Sequence, residues 1–329
     1  MEENHNKNST SLNKHTIGDL YQMQSLPLEA KINMTKNRIR WWLDEYDAYI
    51  SFSGGKDSTV LLHIARELCP NIPAVFVDTG LEYPEIREFV KTITNVTWLK
   101  PEMNFRKVIE TYGYPIISKE VSKRISEYHN AERKGKLENS LAYQEFNGIR
   151  KSPTGKSSYN KKKYKFLLDA DFQISHKCCD IMKKKPAKKY EKETGLTPIT
   201  AVMACESENR KTAWLKTGCN AYDSARPISQ PMSFWTEQDV LEYLKRYNVP
   251  YASVYGEIVQ DKDGKLHTTG CDRTGCVFCG FGCHLEKEPN RFQRLKVTHP
   301  KLWDYCMRSW SEGGLGMRSV LEYIGVTVE

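Results

Sequence analysis

A stretch of six residues combines two adjacent glycines with side chains that can bind phosphate. In order, these residues are Ser53, Gly54, Gly55, Lys56, Asp57 and Ser58. Adjacent glycines allow a tight turn in which consecutive backbone amides point into one concavity, where an anion can bind. Lys56 and the two serines add donors for phosphate oxygens, and Asp57 can hold Mg²⁺. The glycines are closer together than in G-x-x-x-x-G-K-[ST], so we predict a nucleotide loop of a different kind, with Lys56 and Asp57 as its catalytic residues.

The chain also contains ten cysteines, which in a protein without a disulfide framework indicate metal or redox chemistry. Cys276 and Cys279 form a C-x-x-C motif whose short loop lets both thiolates face one ion or one cluster. In a local arrangement, zinc or an iron–sulfur cluster is held by Cys271, Cys276, Cys279 and Cys283. In a long-range arrangement, the partners of the motif are Cys178 and Cys179. Adjacent cysteines are awkward for tetrahedral zinc but can ligate two irons of one cluster. The spacing alone leaves both arrangements open.

The phosphate loop needs a strand before it and a helix after it, and the flanking sequence predicts both. Residues 49–52 indicate the end of a buried strand, and apolar residues recur at helical spacing from 59 to 65. A second strand is predicted at 73–80, a helix at 82–92 and a third strand at 96–99. Such alternation indicates an α/β fold with a doubly wound parallel sheet. Ligands of these sheets bind beyond the carboxyl ends of the strands, which is where the loop lies together with Asp78, Thr79 and Gly80.

The composition limits the class of protein. At 329 residues with 39% apolar residues, the chain is long enough for one large α/β domain and a smaller one. It has no run of 18 apolar residues and no signal-peptide pattern, so we expect a cytoplasmic protein without a membrane partner. We divide it into a disordered lead-in at 1–16, a nucleotide-binding domain at 17–230 and a smaller helical, cysteine-rich region at 231–329.

Positive charge is concentrated in one segment. Residues 119–165 contain thirteen Lys or Arg and five Glu, and this local excess of eight equals the net charge of the whole chain, +8. A concentrated basic segment indicates a polyanionic partner, of which tRNA and DNA are the obvious examples. A solvated surface insertion without a partner is the alternative.

The order of motifs resembles the phosphoadenosine phosphosulfate reductase family of pyrophosphatase-loop enzymes, whose fold is of the adenine nucleotide alpha-hydrolase-like type. The resemblance covers about residues 37–285. The matching motifs are SGGKDS at residue 53, FVDTGLEYPE at 76, YPIISK at 114, TPITAVMACESENR at 197, RPI at 226, WTEQDV at 235 and PYASVY at 250.

The resemblance implies roles for further residues. It puts Asp78, Thr79 and Gly80 near the adenosine, and Ser118 and Lys119 near the nucleotide phosphates. It adds Glu206 and Arg210 to the nucleotide site. The family has an arginine ahead of its Glu-Ser pair, whereas this chain has Met203 there, which leaves that phosphate contact open.

The cysteines extend the resemblance to adenylylsulfate reductases that carry a cluster, which pair a double cysteine with a later C-x-x-C. It therefore favours a 4Fe–4S cluster on Cys178, Cys179, Cys276 and Cys279, with zinc, or Cys271 and Cys283 as ligands, as the alternative.

Two reactions fit a nucleotide loop beside a cluster. In the first, ATP is cleaved to AMP and pyrophosphate, which activates a substrate such as tRNA or DNA for sulfur transfer, with a sulfur-donor protein as a further expected partner. In the second, a cysteine attacks adenylylsulfate or phosphoadenylylsulfate and sulfite is released. The reductases carry that cysteine in a C-terminal Glu-Cys-Gly-Leu-His stretch, but this chain ends VLEYIGVTVE and its loop is intact. We therefore expect the first reaction, and a non-catalytic nucleotide-binding module is the third alternative.

Overall fold

A computed structural model describes residues 13–150 and 160–329. The helices are α1 (Ile17–Gln24), α2 (Leu28–Glu45), α3 (Lys56–Leu68), α4 (Pro84–Lys91), α5 (Phe105–Tyr112), α6 (Lys119–Arg133), α7 (Leu141–Phe146), α8 (Lys185–Thr194), α9 (Glu208–Thr217), α10 (Glu237–Arg246), α11 (Arg291–Thr298), α12 (Pro300–Met307) and α13 (Met317–Tyr323). The strands are β1 (Ala48–Ser51), β2 (Ala74–Val77), β3 (Val96–Leu99), β4 (Ile116–Ile117), β5 (Thr197–Ile199), β6 (Asn220–Ala221), β7 (Ile228–Ser229), β8 (Ile258–Gln260), β9 (Leu266–Thr268) and β10 (Gly280–Phe281).

These elements form two compact units that interleave along the chain. The first unit contains the chain up to Asp78, together with Tyr83–Leu99 and Ala187–Thr274. The second contains Thr79–Glu82, Lys100–Pro186 and Gly275–Glu329. The consecutive domains at 17–230 and 231–329 are a division of a different kind, and they stay a prediction.

The first unit is built on a six-stranded sheet in the order β3-β2-β1-β5-β7-β6. All neighbours are parallel except β6 and β7, which pair antiparallel. The chain moves outward from β1 through β2 to β3 and then returns to the other side of β1 with β5. β1 therefore lies at the point where the strand order reverses, and the phosphate loop follows it directly. The predicted doubly wound parallel sheet is confirmed.

The buried core of the first unit explains why these strands form. Ile50, Phe52 and Phe76 have at most 2% of their surface exposed, because the sheet is covered by helices. α2 contributes the fully buried Trp42, whose indole N–H donates to Thr197 Oγ1 over 2.9 Å. One charged pair is also buried: Lys31 donates to both carboxylate oxygens of Asp239 at 2.7 Å.

The start of the described chain is ordered by local contacts. Thr16 caps α1 in a capping box with Asp19. The backbone N–H of His15 donates to the carbonyl of Leu215. The predicted disordered lead-in at 1–16 is therefore wrong for residues 15 and 16, because these bonds satisfy the backbone there. Residues 1–12 lie outside the described residues.

The second unit is mainly helical. Its short strands β4 and β10 pair parallel, with Gly280 opposite Ile116. Tyr114 joins this pair to the C-terminal helices, since its hydroxyl donates to the carbonyl of Leu315 and accepts the indole N–H of Trp310 at 2.6 Å. Across the described ranges, no helix has the length and apolar character needed to cross a membrane.

Candidate active site

The phosphate loop between β1 and α3 is a tight turn stabilised by its own residues. Gly54 has a φ of +71°, and a Cβ there would lie 2.7 Å from methyl groups of Ile86 and Val90, so both conformation and space require glycine. The hydroxyls of Ser53 and Ser58 lie 3.0 Å apart and hydrogen-bond each other. The loop enters α3 at Gly55, whose β-region backbone precedes the first helical residue, Lys56. The amino end of α3 therefore follows the turn directly, as an anion site requires.

Lys56 is buried, and its ammonium is held by distant parts of the first unit. Its Nζ lies 2.9 Å from Glu237 Oε1 and also donates to the backbone carbonyl of Asp272. Its backbone N–H donates to the hydroxyl of Tyr255 over 3.2 Å. Burial raises the pKa of Tyr255 to about 12, so that hydroxyl stays neutral and can accept this bond. The loop lysine is thereby oriented before any nucleotide binds.

Asp57 has an unusual environment for a carboxylate. Its Oδ1 is buried and has no hydrogen-bond partner among the residues in the described ranges. Burial raises its pKa, and the nearby charges of Lys56 and Arg273 oppose that rise. A buried, unpartnered carboxylate oxygen needs a cation or a donor from outside the protein. This is the feature expected of a ligand to Mg²⁺, and it fits the predicted role of Asp57.

A cluster of opposite charges borders the loop. The Glu206 side chain is 10% exposed and forms ion pairs with both Arg210 and Arg273. Its Oε2 also accepts the backbone N–H of Met203 over 3.0 Å, closing a short turn at Ala204–Glu206. Strand β5 ends earlier than the sequence suggested, since a strand reaching Glu206 was expected. The charges of Arg210 and Arg273 both act on Asp57, so this cluster and the loop form one polar site.

Asp78 ends the segment that follows β2. Its carboxylate is buried and accepts a hydrogen bond from Arg87 at 2.9 Å. The next residues belong to the second unit. There Thr79 donates through its backbone N–H and its hydroxyl to the carboxylate of Glu82, at 3.0 and 2.7 Å. Gly80 adopts a φ of +72°, which lets the chain turn at this point. Their assignment to the adenosine site stays a prediction.

Four cysteines come together in the second unit. The pKa of Cys178 is raised, first by burial and then by the neighbouring sulfurs of Cys179, Cys276 and Cys279. Burial likewise raises the pKa of Cys276 to about 11. The double cysteine and the C-x-x-C motif therefore lie within electrostatic reach of each other, although about a hundred residues separate them in sequence. Buried thiols of raised pKa must release protons when they bind a metal.

Lys183 lies beside these sulfurs. The double cysteine leads into a five-residue π-helical turn, Asp180–Lys184, a feature common at functional sites. Burial opposes the charge of Lys183, but Cys276, Glu82 and a hydrogen bond to Cys276 raise its pKa. Because Glu82 also binds Thr79, one carboxylate connects the turn after Asp78 to the cysteine site. The backbone N–H of Val277 donates to the carbonyl of Leu81 over 2.8 Å, which holds the two segments together.

The two alternative ligands have other surroundings. Cys271 belongs to the first unit, where its N–H donates to Val254 and its carbonyl accepts the hydroxyl of Thr268 at 3.0 Å. Cys283 is buried in the second unit, and its thiol donates to the carbonyl of Gly280 at 3.1 Å. In the described part of the chain, no three His, Cys, Asp or Glu side chains converge on one point as a single metal ion requires. The ligands of a 4Fe–4S cluster bind separate irons and need no such convergence.

The basic segment is not uniformly available to a partner. Ser118 caps α6 through its hydroxyl, and Lys119 begins that helix with an exposed side chain. Lys161, by contrast, is buried, and its Nζ lies 2.9 Å from the fully buried Glu145 and 2.7 Å from Glu120. The expectation that Lys161 contacts nucleic acid is therefore wrong, because its charge is neutralised inside the protein. Residues 151–159 of the segment lie outside the described ranges.

Sequence reasoning missed several residues of these sites. At the loop they are Glu237, Tyr255, Asp272 and Arg273; at the cysteines they are Glu82 and Lys183. A signal existed for two of them, because Glu237 lies in the WTEQDV motif and Tyr255 ends PYASVY. Nothing in the local sequence distinguishes Asp272 and Arg273 from ordinary polar loop residues.

Comparisons with known proteins agree on a family. The family model described as phosphoadenosine phosphosulfate reductase domain matches residues 47–280. An uncharacterized protein of Methanocaldococcus jannaschii is 26% identical over 83% of this chain and 44% of its own length. A second uncharacterized protein of that organism is 24% identical over 89% of this chain and 53% of its own. The chain thus spans about half the length of these two relatives.

Named enzymes are also similar. Phosphoadenosine 5'-phosphosulfate reductase of Xylella fastidiosa is 21% identical over 76% of this chain and 85% of its own length. The crystal structure of a phosphoadenylyl-sulfate reductase from Candida auris, in complex with phosphate, covers 76% of this chain and 97% of its own at 12% identity. Its TM-score of 0.39 is too low to support a conclusion about fold or function.

Proposed function

Because the chain belongs to the phosphoadenosine phosphosulfate reductase domain family, we propose that it binds ATP at residues 53–58 and cleaves it to AMP and pyrophosphate, activating a substrate for sulfur transfer. The observation that carries the proposal is the pairing of the oriented Lys56 ammonium with the unpartnered buried oxygen of Asp57. Lys56 can bind phosphate oxygens, and Asp57 can take the Mg²⁺ that accompanies them.

The proposed reaction uses the loop as an anion site. An oxygen of the acceptor substrate attacks the α-phosphorus, and the bond from that phosphorus to the bridging oxygen breaks. Pyrophosphate leaves with the electron pair of that bond. The charge that develops on it is stabilised by Lys56 and by the amides at the amino end of α3. A sulfur nucleophile then displaces AMP from the activated substrate. tRNA or DNA would be the acceptor if the basic segment binds nucleic acid.

The cysteine site fits an iron–sulfur cluster. Cys178, Cys179, Cys276 and Cys279 lie in one unit and act on one another electrostatically, and Lys183 offers a buried cation to balance the negative charge of bound thiolates. A 4Fe–4S cluster held there would supply a place to bind or deliver sulfur. The residues of the chain itself would hold that cluster and limit the access of water to it, since Cys178 is buried.

Sulfonucleotide reduction is the second candidate, and one observation favours it. Cys205, expected from the sequence to be a core residue, is exposed and lies near Asp57, Glu237 and Arg273. Its thiolate could attack the sulfur of adenylylsulfate, forming a thiosulfate ester and releasing AMP, after which a second thiol would release sulfite. Against this, the local burial of its sulfur and the charges of Asp57 and Glu237 raise its pKa, which disfavours the thiolate.

The decisive experiment compares the two nucleotides on protein purified without oxygen. Radiolabelled Mg·ATP is supplied with tRNA, DNA and sulfide, and AMP and pyrophosphate are measured. Adenylylsulfate and phosphoadenylylsulfate are supplied separately with a thiol reductant, and sulfite is measured. We expect AMP and pyrophosphate from ATP. Sulfite from a sulfonucleotide, with no pyrophosphate from ATP under any condition, would overturn the proposal in favour of reduction.

Variants of the loop test the assigned roles. We expect Lys56→Met to weaken Mg·ATP binding by about 10- to 100-fold, the usual effect of losing a hydrogen bond to a charged group. Asp57→Asn should remove most of the gain in ATP affinity that Mg²⁺ provides. Lys91→Met is the matched control, because Lys91 is an exposed lysine of the same unit paired only with Glu88 in the described contacts. Equal ATP affinities in Lys56→Met and the control would contradict the role of Lys56.

A further inference from the structure

We propose that Arg273 binds a phosphate of the nucleotide, in the role that the missing arginine ahead of Glu206 and Ser207 leaves open. The inference rests on the proposed function only in that a nucleotide occupies the loop at residues 53–58. Arg273 comes from a different part of the chain, 67 residues after Glu206. It nevertheless supplies a guanidinium beside the same glutamate.

The neighbours of Arg273 fix its location at the loop. On one side, the backbone carbonyl of Asp272 accepts a hydrogen bond from Lys56 Nζ. On the other side, the hydroxyl of Thr274 lies 2.6 Å from that of Tyr255, which itself accepts the backbone N–H of Lys56. Arg273 lies between two residues that are tied to the phosphate loop, so its backbone cannot move far from the loop.

The ion pairs around Glu206 leave Arg273 able to change partners. Arg210 and Arg273 flank one carboxylate, and the two like charges repel each other. The Arg273 side chain is 62% exposed, compared with 39% for Arg210 and 10% for Glu206. An exposed ion pair contributes little free energy, so Arg273 can leave Glu206 at small cost while Arg210 keeps the carboxylate paired. A phosphate dianion offers the guanidinium a stronger, bidentate partner.

The charge of Arg273 also reaches the proposed metal ligand. It lowers the pKa of Asp57 against the effect of burial, which locates the guanidinium within electrostatic range of that carboxylate. A phosphate bound between Lys56 and Arg273 would therefore lie beside the oxygen of Asp57 that has no described partner. This arrangement brings two cations and one metal ligand to the same phosphate chain, and Arg273 adds specificity for the phosphates rather than for the adenosine.

The test is a series of ligands with decreasing phosphate content. Isothermal titration measures binding of Mg·ATP, Mg·ADP, AMP and adenosine to the full chain and to Arg273→Met, Arg273→Lys and Arg246→Met. Arg246 is the matched control, because it is an exposed arginine of the same unit that pairs with Glu29 and Glu242. We expect Arg273→Met to lose about 10- to 100-fold in affinity for ATP and to bind adenosine as the unmodified chain does. Arg273→Lys should lose less, since it keeps the charge but not the bidentate geometry.

Two outcomes would overturn the inference. Equal losses for ATP and adenosine in Arg273→Met would mean that the residue only supports the fold of the site. An ATP affinity unchanged from that of Arg246→Met would mean that it makes no phosphate contact. If the unmodified chain binds phosphoadenylylsulfate but not ATP, the proposed function fails, and the same series with phosphoadenylylsulfate and adenosine then decides the role of Arg273 separately.

Discussion

The buried Glu145 gives the sharpest prediction about the basic segment. It lies on α7 with no exposed surface, and its carboxylate pairs with Arg124 on α6 at 2.9 Å, with Lys161 at 2.9 Å and with Arg150. The backbone N–H of Lys161 also donates to the Glu145 carbonyl. Three positive charges of the segment therefore converge on one carboxylate. Glu145→Gln would leave those cations without their counter-charge and would loosen the contact between α6 and α7.

The expected cost follows from the burial of the partners. Removing one side of a buried ion pair costs about 3–5 kcal/mol. Arg124 and Arg150 are 18% and 24% exposed, so water recovers part of their interaction, and Lys161 at 4% recovers little. We therefore expect the lower end, about 3 kcal/mol, which corresponds to about 150-fold faster exchange from the open state. Hydrogen exchange measured by mass spectrometry on peptides from α6 and α7 reports this change directly.

A surface control separates burial from simple charge loss. Glu127→Gln also removes a partner of Arg124, but Glu127 is 38% exposed, so its loss should cost less than about 1 kcal/mol. Exchange that rises equally in both variants, or that does not rise in Glu145→Gln, would refute the reasoning.

The same network predicts a dependence on pH. Burial opposes the ionisation of Glu145, but hydrogen bonds from Lys161 and Arg150, with the charges of Lys161 and Arg124, hold its pKa below the ordinary value of 4.5. A lowered pKa in the folded state means that the stabilisation is present above pH 4.5 and is lost as the pH falls through the folded pKa. Protection of α6 should therefore decline on acidification below that value in the unmodified chain, and much less in Glu145→Gln.

Three further predictions concern the metal site, the nucleic-acid hypothesis and the fold. Cys179→Ser and Cys276→Ser should abolish iron binding and increase hydrogen exchange in 275–329, whereas Cys271→Ser and Cys283→Ser should keep the iron; a preparation with one zinc and no iron would contradict this. Neutralising the exposed Lys162, Lys163 and Lys165 should reduce the salt dependence of tRNA or DNA binding by about 0.7–0.9 per lost phosphate contact, and salt-independent binding would leave the segment as a solvated insertion. Lys31→Met should lower the free energy of unfolding by about 3 kcal/mol in urea titrations, because it leaves Asp239 buried and only partly compensated by Thr236; a change below 1 kcal/mol would argue against this.

The sequence by itself determined the features that depend on local order. A strand, a Gly-Gly turn and a helix are encoded by neighbouring residues, since alternation of apolar residues and the conformational freedom of Gly54 act within a few positions. The third strand was predicted at the residues where β3 is found, and the alternation of elements was sufficient to identify the parallel sheet. The family followed from the order of several such motifs.

Only the tertiary structure decided which distant residues complete the sites. Lys56 is bound by a carbonyl 216 residues away, and Arg273 meets Glu206 across 67 residues. Such pairs have no periodicity, so no local pattern can reveal them. Charge is equally ambiguous in sequence: Lys161 and Lys162 are adjacent and chemically identical, yet one is buried against Glu145 and the other is exposed. Whether a lysine meets solvent or a buried carboxylate depends on how the helices pack, because that packing alone sets the cost of removing its charge from water.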